Sequence, residues 1–325
     1  MAMQRLATVF GGSGFIGRYV VTNLARAGWL VRVAVRRPDE ALFLKTAGVV
    51  GQVTPVAANV RDRASVARAV VGADAVVNLV GILHEGGPQK FEAVQAEGAK
   101  AIAEEAARAG ARHLVHISAI GADANSDSAY ARTKAAGEAA VRQAFPDATI
   151  LRPSIVFGVE DGFFNRFARM AQLAPALPLI GGGKTRFQPV YVGDVAAAVV
   201  KAIETPDAAG QTYELAGPKI YSFEELMRMV LRETGRKRPL VPLPFAIASA
   251  IGCVAQGATS AVNAVVPILP GPALTTDQVR QLKRDNVPSA GSAGLTDLGI
   301  TPTGVEAVIP AYLERYRSRS IYHRP

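Results

Sequence analysis

The sequence predicts an α/β fold: a doubly wound parallel sheet with helices on both faces, followed by a smaller C-terminal lobe. Apolar runs alternate with helical patterns through residues 1–160, and the candidate strands are almost continuously apolar. Helices of this length between strands imply parallel pairing, and a sheet covered on both faces lacks polar alternation. We expect about seven strands. Strands are predicted at 6–10, 30–35, 52–58, 74–80, 112–118 and 148–152, and helices at 14–27, 39–47, 63–71, 90–109 and 129–144.

Composition narrows the classes of partner. The chain has 325 residues, 49% of them hydrophobic, a formal net charge of +9 and a pI near 9.8. Such a surplus favours acidic partners, but no Lys/Arg run is interleaved with aromatic residues, so nucleic acid is not expected. Cys253 is the only cysteine, which fits a reducing compartment. Of the four histidines, His113 and His116 flank strand residues and have no carboxylate at ligand spacing, so no metal site is expected. We also expect no signal peptide, because the first strand begins almost at the N-terminus.

The stretch from Thr8 to Gly17 joins a strand, a glycine turn and a helix start. Gly11 permits the tight turn, Gly14 lets the backbone approach a phosphate without a Cβ, and Gly17 lets the helix sit close to the strand. The free N–H groups at the helix start then face the anion. With a second strand one helix later, the GxxGxxG spacing predicts a dinucleotide site whose other contacts are Ser13, Phe15 and Ile16.

Two arginines, Arg36 and Arg37, stand at the tip of the second strand. Many NAD-binding sites carry an acidic residue here that binds the ribose 2′-hydroxyl, but this chain has acidic residues only at Asp39 and Glu40. A guanidinium grips a phosphate bidentately, so this tip suits a 2′-phosphate. We therefore predict NADP(H) rather than NAD(H), with Arg18 adding to the grip; the alternative is that the arginines are solvated charges.

Further contacts are predicted at the carboxyl ends of the third and fourth strands. Val60 follows the third strand, and Val80 and Gly81 follow the fourth. A bound adenine and ribose lie at this edge of such a sheet. Gly81 removes a side chain where the cofactor must pass, although a plain turn would also explain a glycine here.

Three polar residues have the spacing of a proton-transfer site. Ser118 ends the fifth strand, and Tyr130 and Lys134 share one face of the following helix, four residues apart. A lysine cation beside a phenol is expected to lower the pKa of the phenol, and a serine hydroxyl can hold a reacting oxygen. We predict that Tyr130 and Lys134 line the nicotinamide ribose. A surface helix with a cation–aromatic pair is the alternative.

These motifs resemble the extended and atypical short-chain dehydrogenase/reductase superfamily, whose nucleotide domain is of the Rossmann type. The resemblance rests on the GGSGFIG turn, Ser118, the YARTK segment from Tyr130, and the run from Leu151 to Gly158. The runs 157–168 and 187–195 are similar to one branch, the Rossmann-type accessory subunit of respiratory complex I (the proton-pumping NADH:ubiquinone oxidoreductase) and its bacterial homologues. The resemblance covers most of residues 5–235, and it implies that Pro153 contacts the cofactor.

The resemblance implies a structural NADP(H) in a non-catalytic accessory or assembly subunit of complex I, peripheral on the cytoplasmic side of a bacterial inner membrane. The second hypothesis is a working NADP-dependent reductase, sugar-nucleotide epimerase or dehydratase. There Tyr130 is the acid/base, Lys134 lowers its pKa, and Ser118 orients the reacting oxygen. The chain departs from many relatives at Asn59, where they carry an aspartate beside the adenine.

We divide the chain into a nucleotide domain at 1–160, a substrate-type lobe at 161–236 and an apolar and basic segment at 237–325. No charged residue occurs from Pro239 to Thr276. This stretch is long enough to span a bilayer but only marginally hydrophobic. It can also be a buried part of the lobe, or a face applied to a partner protein or lipid surface. Arginines at 315, 317, 319 and 324 would suit acidic partner groups or anionic headgroups.

Overall fold

The computed structural model describes residues 5–254 and 275–317, and it confirms the doubly wound fold. A seven-stranded sheet has the order β11-β6-β5-β4-β1-β2-β3, and every neighbouring pair is parallel. The order reverses beside β1, so the glycine turn lies at the switch point of the sheet. The strands are β1 (Leu6–Phe10), β2 (Leu30–Val35), β3 (Val53–Ala57), β4 (Ala75–Asn78), β5 (His113–Ile117), β6 (Thr149–Pro153) and β11 (Thr212–Leu215).

Helices cover both faces of this sheet. One face packs against α1 and α6 through a core that includes Leu24, Trp29 and Val199. The other face packs against α2, α3 and α4 through residues such as Ile102 and Val141. The bounds are α1 (Phe15–Arg26), α2 (Arg63–Val70), α3 (Glu97–Arg108), α4 (Ala129–Ala144) and α6 (Val192–Glu204).

Two predicted helices differ from regular α geometry. Residues Pro38–Ala47 form a 3₁₀ helix that begins with proline and buries only Ala41 and Leu44. The predicted helix at 90–109 opens with a π turn at Glu92–Ala96 before α3 begins. An ideal Cβ on Gly137 would collide with the carbonyl of Gln95, so α4 packs directly against the π turn. The sequence pattern predicts a helical segment at both places, but it does not distinguish 3₁₀ or π hydrogen bonding from that of an α-helix.

The smaller lobe has its own aromatic core. Helix α5 (Phe164–Leu173) packs with α7 (Phe223–Thr234) and with the helix Val305–Leu313 around Phe157, Phe164 and Phe223. Its strands are short: β7 (Val156–Phe157) pairs with β10 (Val190–Tyr191), β9 (Arg186–Phe187) with β12 (Tyr221–Ser222), and β8 (Leu177–Ile180) with β13 (Leu240–Leu243).

Buried acidic groups fasten residues 275–317 to the rest of the chain. Asp161 accepts a hydrogen bond from the Tyr312 hydroxyl at 2.5 Å and from the backbone N–H of Phe163. Asp194 lies in the first turn of α6 and accepts from the backbone N–H and hydroxyl of Thr303. Residues 275–317 are therefore held against the loop that precedes α5 and against α6, which covers one face of the central sheet.

Part of the predicted interface lies outside the described residues. This applies to 255–274, within the uncharged stretch, and to 318–325, which includes Arg319 and Arg324. Residues 245–254 of the stretch are helical. None of the helices in 5–254 and 275–317 has both the length and the apolarity needed to cross a bilayer.

Candidate functional site

The glycine turn has the close packing predicted for it. Gly11 has a φ of +77°, and its N–H donates to the Ala34 carbonyl of β2. An ideal Cβ on Gly17 would lie 2.6 Å from the Cα of Gly12 and closer still to the Gly11 carbonyl oxygen. Only glycine therefore lets α1 begin against the turn. Among the described residues no side chain caps α1 and no acid lies in its first turn, so the helix dipole favours an anion here.

The loop after β4 meets this turn from one side and α4 from the other. An ideal Cβ on Gly11 would lie 3.3 Å from Val80, and one on Gly81 would lie 3.4 Å from the Lys134 Nζ. The structure thus brings together four of the predicted site positions at the carboxyl edge of the sheet.

The loop after β3 is held by its own polar residues. Val60 packs against Gly98 of α3. The Asn59 side chain accepts from the Arg61 N–H at 3.1 Å, and Asp62 caps α2. The amide oxygen of Asn59 therefore closes the turn after β3.

The arginines at the tip of β2 are exposed. Arg37 forms an ion pair of 2.9 Å with Glu40, whereas no partner of Arg36 is found in the described residues. Arg18 lies with its guanidinium 5.3 Å from the Phe43 ring centroid, and its Nη1 donates to the Glu160 carboxylate at 3.1 Å. These contacts hold Arg18 between the 3₁₀ helix that follows β2 and the loop that precedes α5.

Ser118 and Lys134 both lie beside the end of β5. The Lys134 Nζ is buried and donates to the Ile117 carbonyl at 3.1 Å. The Ser118 Oγ is also buried and has no hydrogen-bond partner among the described residues. A buried hydroxyl without a partner is costly unless a ligand supplies one. Burial also lowers the pKa of Lys134 to about 8.

The expected lowering of the Tyr130 pKa is wrong for this structure. Burial first, and then the charge of the Asp277 carboxylate, raise the pKa of Tyr130 to about 12. Lys134 directs its ammonium to the Ile117 carbonyl, while the Tyr130 ring packs edge-to-face on Phe91 at 5.9 Å between centroids. The phenol therefore stays protonated at neutral pH, and among the described residues Tyr130 forms no hydrogen bond with Ser118 or Lys134.

A second buried polar pair supports the loop that carries Gly81. The Nδ2 atom of Asn78 in β4 lies 3.0 Å from the Nδ1 atom of His116 in β5. The Asn78 Oδ1 accepts from the Val80 N–H, so its amide donates to His116. Burial first, and then the Lys134 charge, lowers the pKa of His116 to about 3, so the ring is neutral.

Sequence reasoning missed two residues of the C-terminal segment. Asp277 is buried against the first turn of α4, and Asn286 accepts from the Ser154 hydroxyl at 2.7 Å and from the Ile155 N–H at 3.0 Å. The only local signal for Asp277 was the Thr275–Gln278 capping box that begins its helix. Their partners lie more than a hundred residues away, which no local pattern reveals.

The residues present fit a dinucleotide. The glycine turn leaves no room for a Cβ at Gly17 and faces the start of α1, which no side chain caps. The Ser118 hydroxyl, which has no hydrogen-bond partner among the described residues, lies at the same edge of the sheet. Pro153 is buried at the end of β6, in register with Leu215. The described residues contain no cluster of three or more His, Cys, Asp and Glu side chains that would hold a metal ion.

Fold and site define a nucleotide-binding α/β protein of the extended short-chain dehydrogenase/reductase type. A sequence model of the NAD dependent epimerase/dehydratase family matches residues 7–216, and the chain belongs to that family. Within it, the chain is 38% identical over 321 residues to "NADH dehydrogenase (ubiquinone) 1 alpha subcomplex subunit 9, mitochondrial" of Arabidopsis thaliana, covering 96% of this chain and 78% of that protein.

Two further relatives bear on function. The "NADH-ubiquinone oxidoreductase 40 kDa subunit, mitochondrial" of Neurospora crassa is 34% identical, with 98% of this chain and 81% of that protein covered. The "Ceramide reductase" of Caulobacter vibrioides is 32% identical over 239 residues, 74% of each chain. Among solved structures, the dTDP-glucose 4,6-dehydratase DesIV of Streptomyces venezuelae with NAD bound has a TM-score of 0.72 at 19% identity, covering 97% of each chain, which shows the shared fold.

Proposed function

We propose that this chain is an NADP(H)-binding accessory or assembly subunit of a respiratory complex I, in which the cofactor is structural. The observation that carries the proposal is the similarity to complex I subunits along almost the whole chain, 96% of it in the Arabidopsis relative. It extends beyond the family match at 7–216 into the C-terminal segment. An enzyme that shares only the nucleotide domain does not explain that extension.

A structural role suits the electrostatics of the site. The Tyr130 pKa of about 12 keeps the phenol protonated at neutral pH, which makes it a hydrogen-bond donor to a bound ribose or nicotinamide and a poor base. A cofactor held by the glycine turn and by Lys134 stabilises the folded chain by mass action, because it binds the folded state alone.

The exposed arginines support NADP(H) as the cofactor. Arg36 and Arg37 leave two guanidiniums at the strand tip where the 2′-substituent of the adenine ribose lies in this fold. An arginine–phosphate pair is charge-assisted and can be bidentate, whereas a 2′-hydroxyl gains little from a cation.

The double variant Arg36→Gln/Arg37→Gln tests this selectivity. We expect its dissociation constant for NADPH to rise about tenfold to a hundredfold, and that for NADH to stay within about twofold, because only the phosphate contacts are lost. Isothermal titration calorimetry measures both constants. Arg26→Gln, an exposed arginine at the far end of α1, is the matched control. If the unmodified chain binds NADH as tightly as NADPH, the NADP(H) proposal is refuted.

The partner proposed is complex I itself, with the chain peripheral on the cytoplasmic side of a bacterial inner membrane. Large apolar side chains are exposed on the helical residues 245–254: Ile247 (51%), Ile251 (48%) and Val254 (73%). Exposed apolar side chains at helical spacing are typical of an interface. The net charge of +9 favours an acidic neighbouring subunit or an anionic lipid surface beside it.

A working reductase is the second candidate, favoured by one observation. The orphan Ser118 hydroxyl is placed to hold a reacting oxygen, and one relative is a ceramide reductase. A bound nicotinamide would supply hydride transfer. Tyr130 would then donate a proton to the reacting oxygen. Oxidation of NADPH by the purified chain with a panel of carbonyl substrates, lost in Tyr130→Phe, would favour this candidate over the accessory role.

A further inference from the structure

The buried carboxylate of Asp277 holds the N-terminus of the helix that carries Tyr130 and Lys134. Its Oδ1 accepts from the Ala129 N–H at 2.8 Å, and its Oδ2 accepts from the Ser128 hydroxyl at 2.8 Å and the Tyr130 N–H at 3.3 Å. Gln281 adds a fourth donor at 3.0 Å. The carboxylate thus supplies acceptors for the otherwise orphan donors of the first turn of α4, where the helix dipole also favours a negative charge.

Asp277 belongs to a short helix, Thr276–Gln281. Other residues of this segment pack on the side that faces away from α4. Val279 of this helix packs with Ala248 and Ile180 in one small buried cluster. Gly252 approaches Thr275 so closely that an ideal Cβ would lie 3.1 Å from the Thr275 carbonyl carbon. The helical residues 245–254 therefore rest on the element that holds Asp277.

The outer side of residues 245–254 is the exposed apolar face proposed above for docking. Ala248 and Gly252 face inward, whereas Ile247, Ile251 and Val254 face outward. The same ten residues thus touch the Asp277 helix on one side and present the docking face on the other, without a charged side chain between them.

We propose that Asp277 is a positioning residue that links occupancy of the cofactor site to the packing of residues 245–254, so that NADP(H) binding stabilises this helical segment. The link rests on the proposed function, because it needs a cofactor beside Tyr130 and Lys134. It is reciprocal by thermodynamic necessity: tighter packing of residues 245–254 raises the affinity for the cofactor by the same factor.

The rise that the Asp277 charge causes in the pKa of Tyr130 agrees with this geometry. The same carboxylate that orients the first turn of α4 also keeps the phenol protonated, so a change at Asp277 alters both the position and the hydrogen-bonding of Tyr130.

Hydrogen–deuterium exchange of the full chain, with and without NADPH, tests the link in Asp277→Asn. In the unmodified chain we expect NADPH to slow amide exchange about tenfold in residues 12–20 and in residues 245–254. In Asp277→Asn we expect NADPH at saturation still to protect residues 12–20 but no longer to protect residues 245–254. The amide offers one acceptor oxygen where the carboxylate offers two, and its NH2 group then faces the donors of α4. We also expect a dissociation constant for NADPH about tenfold higher.

Asp285→Asn is the matched control. Asp285 lies in the same segment but pairs with Arg186 at 2.8 Å instead of with α4, so its removal should leave the protection of 245–254 intact. If Asp277→Asn does not fold, Ser128→Ala removes one donor to the carboxylate and should weaken the protection partially.

The outcomes separate the two proposals. Absence of protection at 12–20 in the unmodified chain refutes cofactor binding itself. Protection at 12–20 without protection at 245–254 leaves cofactor binding standing and refutes the link, as does full protection of 245–254 in Asp277→Asn. A readout specific to Tyr130 is its phenol pKa, assigned by difference with Tyr130→Phe in ¹³C-tyrosine NMR. It should fall in Asp277→Asn and not in Asp285→Asn.

Discussion

Lys134→Met is expected to make the cofactor-free chain more stable by about 2 kcal/mol at pH 7. Burial lowers the pKa of Lys134 from 10.5 to about 8, so at pH 7 the fold carries a buried charge it disfavours. A pKa shift of this size means that the buried charge destabilises the folded state by about 3 kcal/mol. Loss of the hydrogen bond to Ile117 in the variant offsets about 1 kcal/mol of that gain. Urea unfolding at fixed pH measures the change.

The stability difference between Lys134→Met and the unmodified chain should depend on pH. Between pH 8 and pH 10.5 the unfolded chain binds more protons than the folded chain, so the unmodified protein gains stability as the pH rises. Lys134→Met lacks that gain, and its advantage should vanish near pH 10. Lys201→Met, at an exposed position on α6, is the control and should change stability little. If Lys134→Met is less stable than the unmodified chain at pH 7, the cost of burying the Lys134 charge does not outweigh its hydrogen bond to Ile117.

Gly17→Ala is expected to weaken NADPH binding at least about a hundredfold and to destabilise the fold by about 1–3 kcal/mol. The added Cβ would lie 2.6 Å from the Gly12 Cα, so α1 must move away from the turn that its N–H groups face. Calorimetric titration with NADPH and thermal unfolding measure the two effects separately.

The matched control is Gly86→Ala, where an added Cβ meets nothing within 4 Å in the described residues. It should bind NADPH like the unmodified chain. Unchanged affinity in Gly17→Ala would mean that the cofactor does not lie on the glycine turn, and the assignment of that turn would have to be abandoned.

The parts of the site that the sequence predicted are those built from local pattern. The strand–glycine–helix unit from Leu6 to Arg26 follows from an apolar run, three glycines and helical periodicity, and it occurs as expected. Tyr130 and Lys134 lie on one helix, and Lys134 reaches the strand end that carries Ser118. Such features depend on residues only a few positions apart.

The parts that the sequence did not reveal depend on contacts between distant residues. Asp277 and Ser128 are 149 positions apart, and the strands of the smaller lobe are as short as two residues. The direction of the Tyr130 pKa shift was mispredicted because helical spacing gives the proximity of Lys134 but not its burial or its hydrogen-bond partner. Solvation and long-range packing decide a pKa, and neither is visible in a motif.

Purification of the tagged chain from membranes of its own organism, in mild detergent, tests whether it is a subunit of complex I with a structural cofactor. We expect the chain to migrate on native gels with NADH:ubiquinone oxidoreductase activity and to carry stoichiometric NADP(H) that is not consumed during turnover of NADH. A chain that migrates alone, or that migrates with the complex but contains no nucleotide, would contradict this expectation.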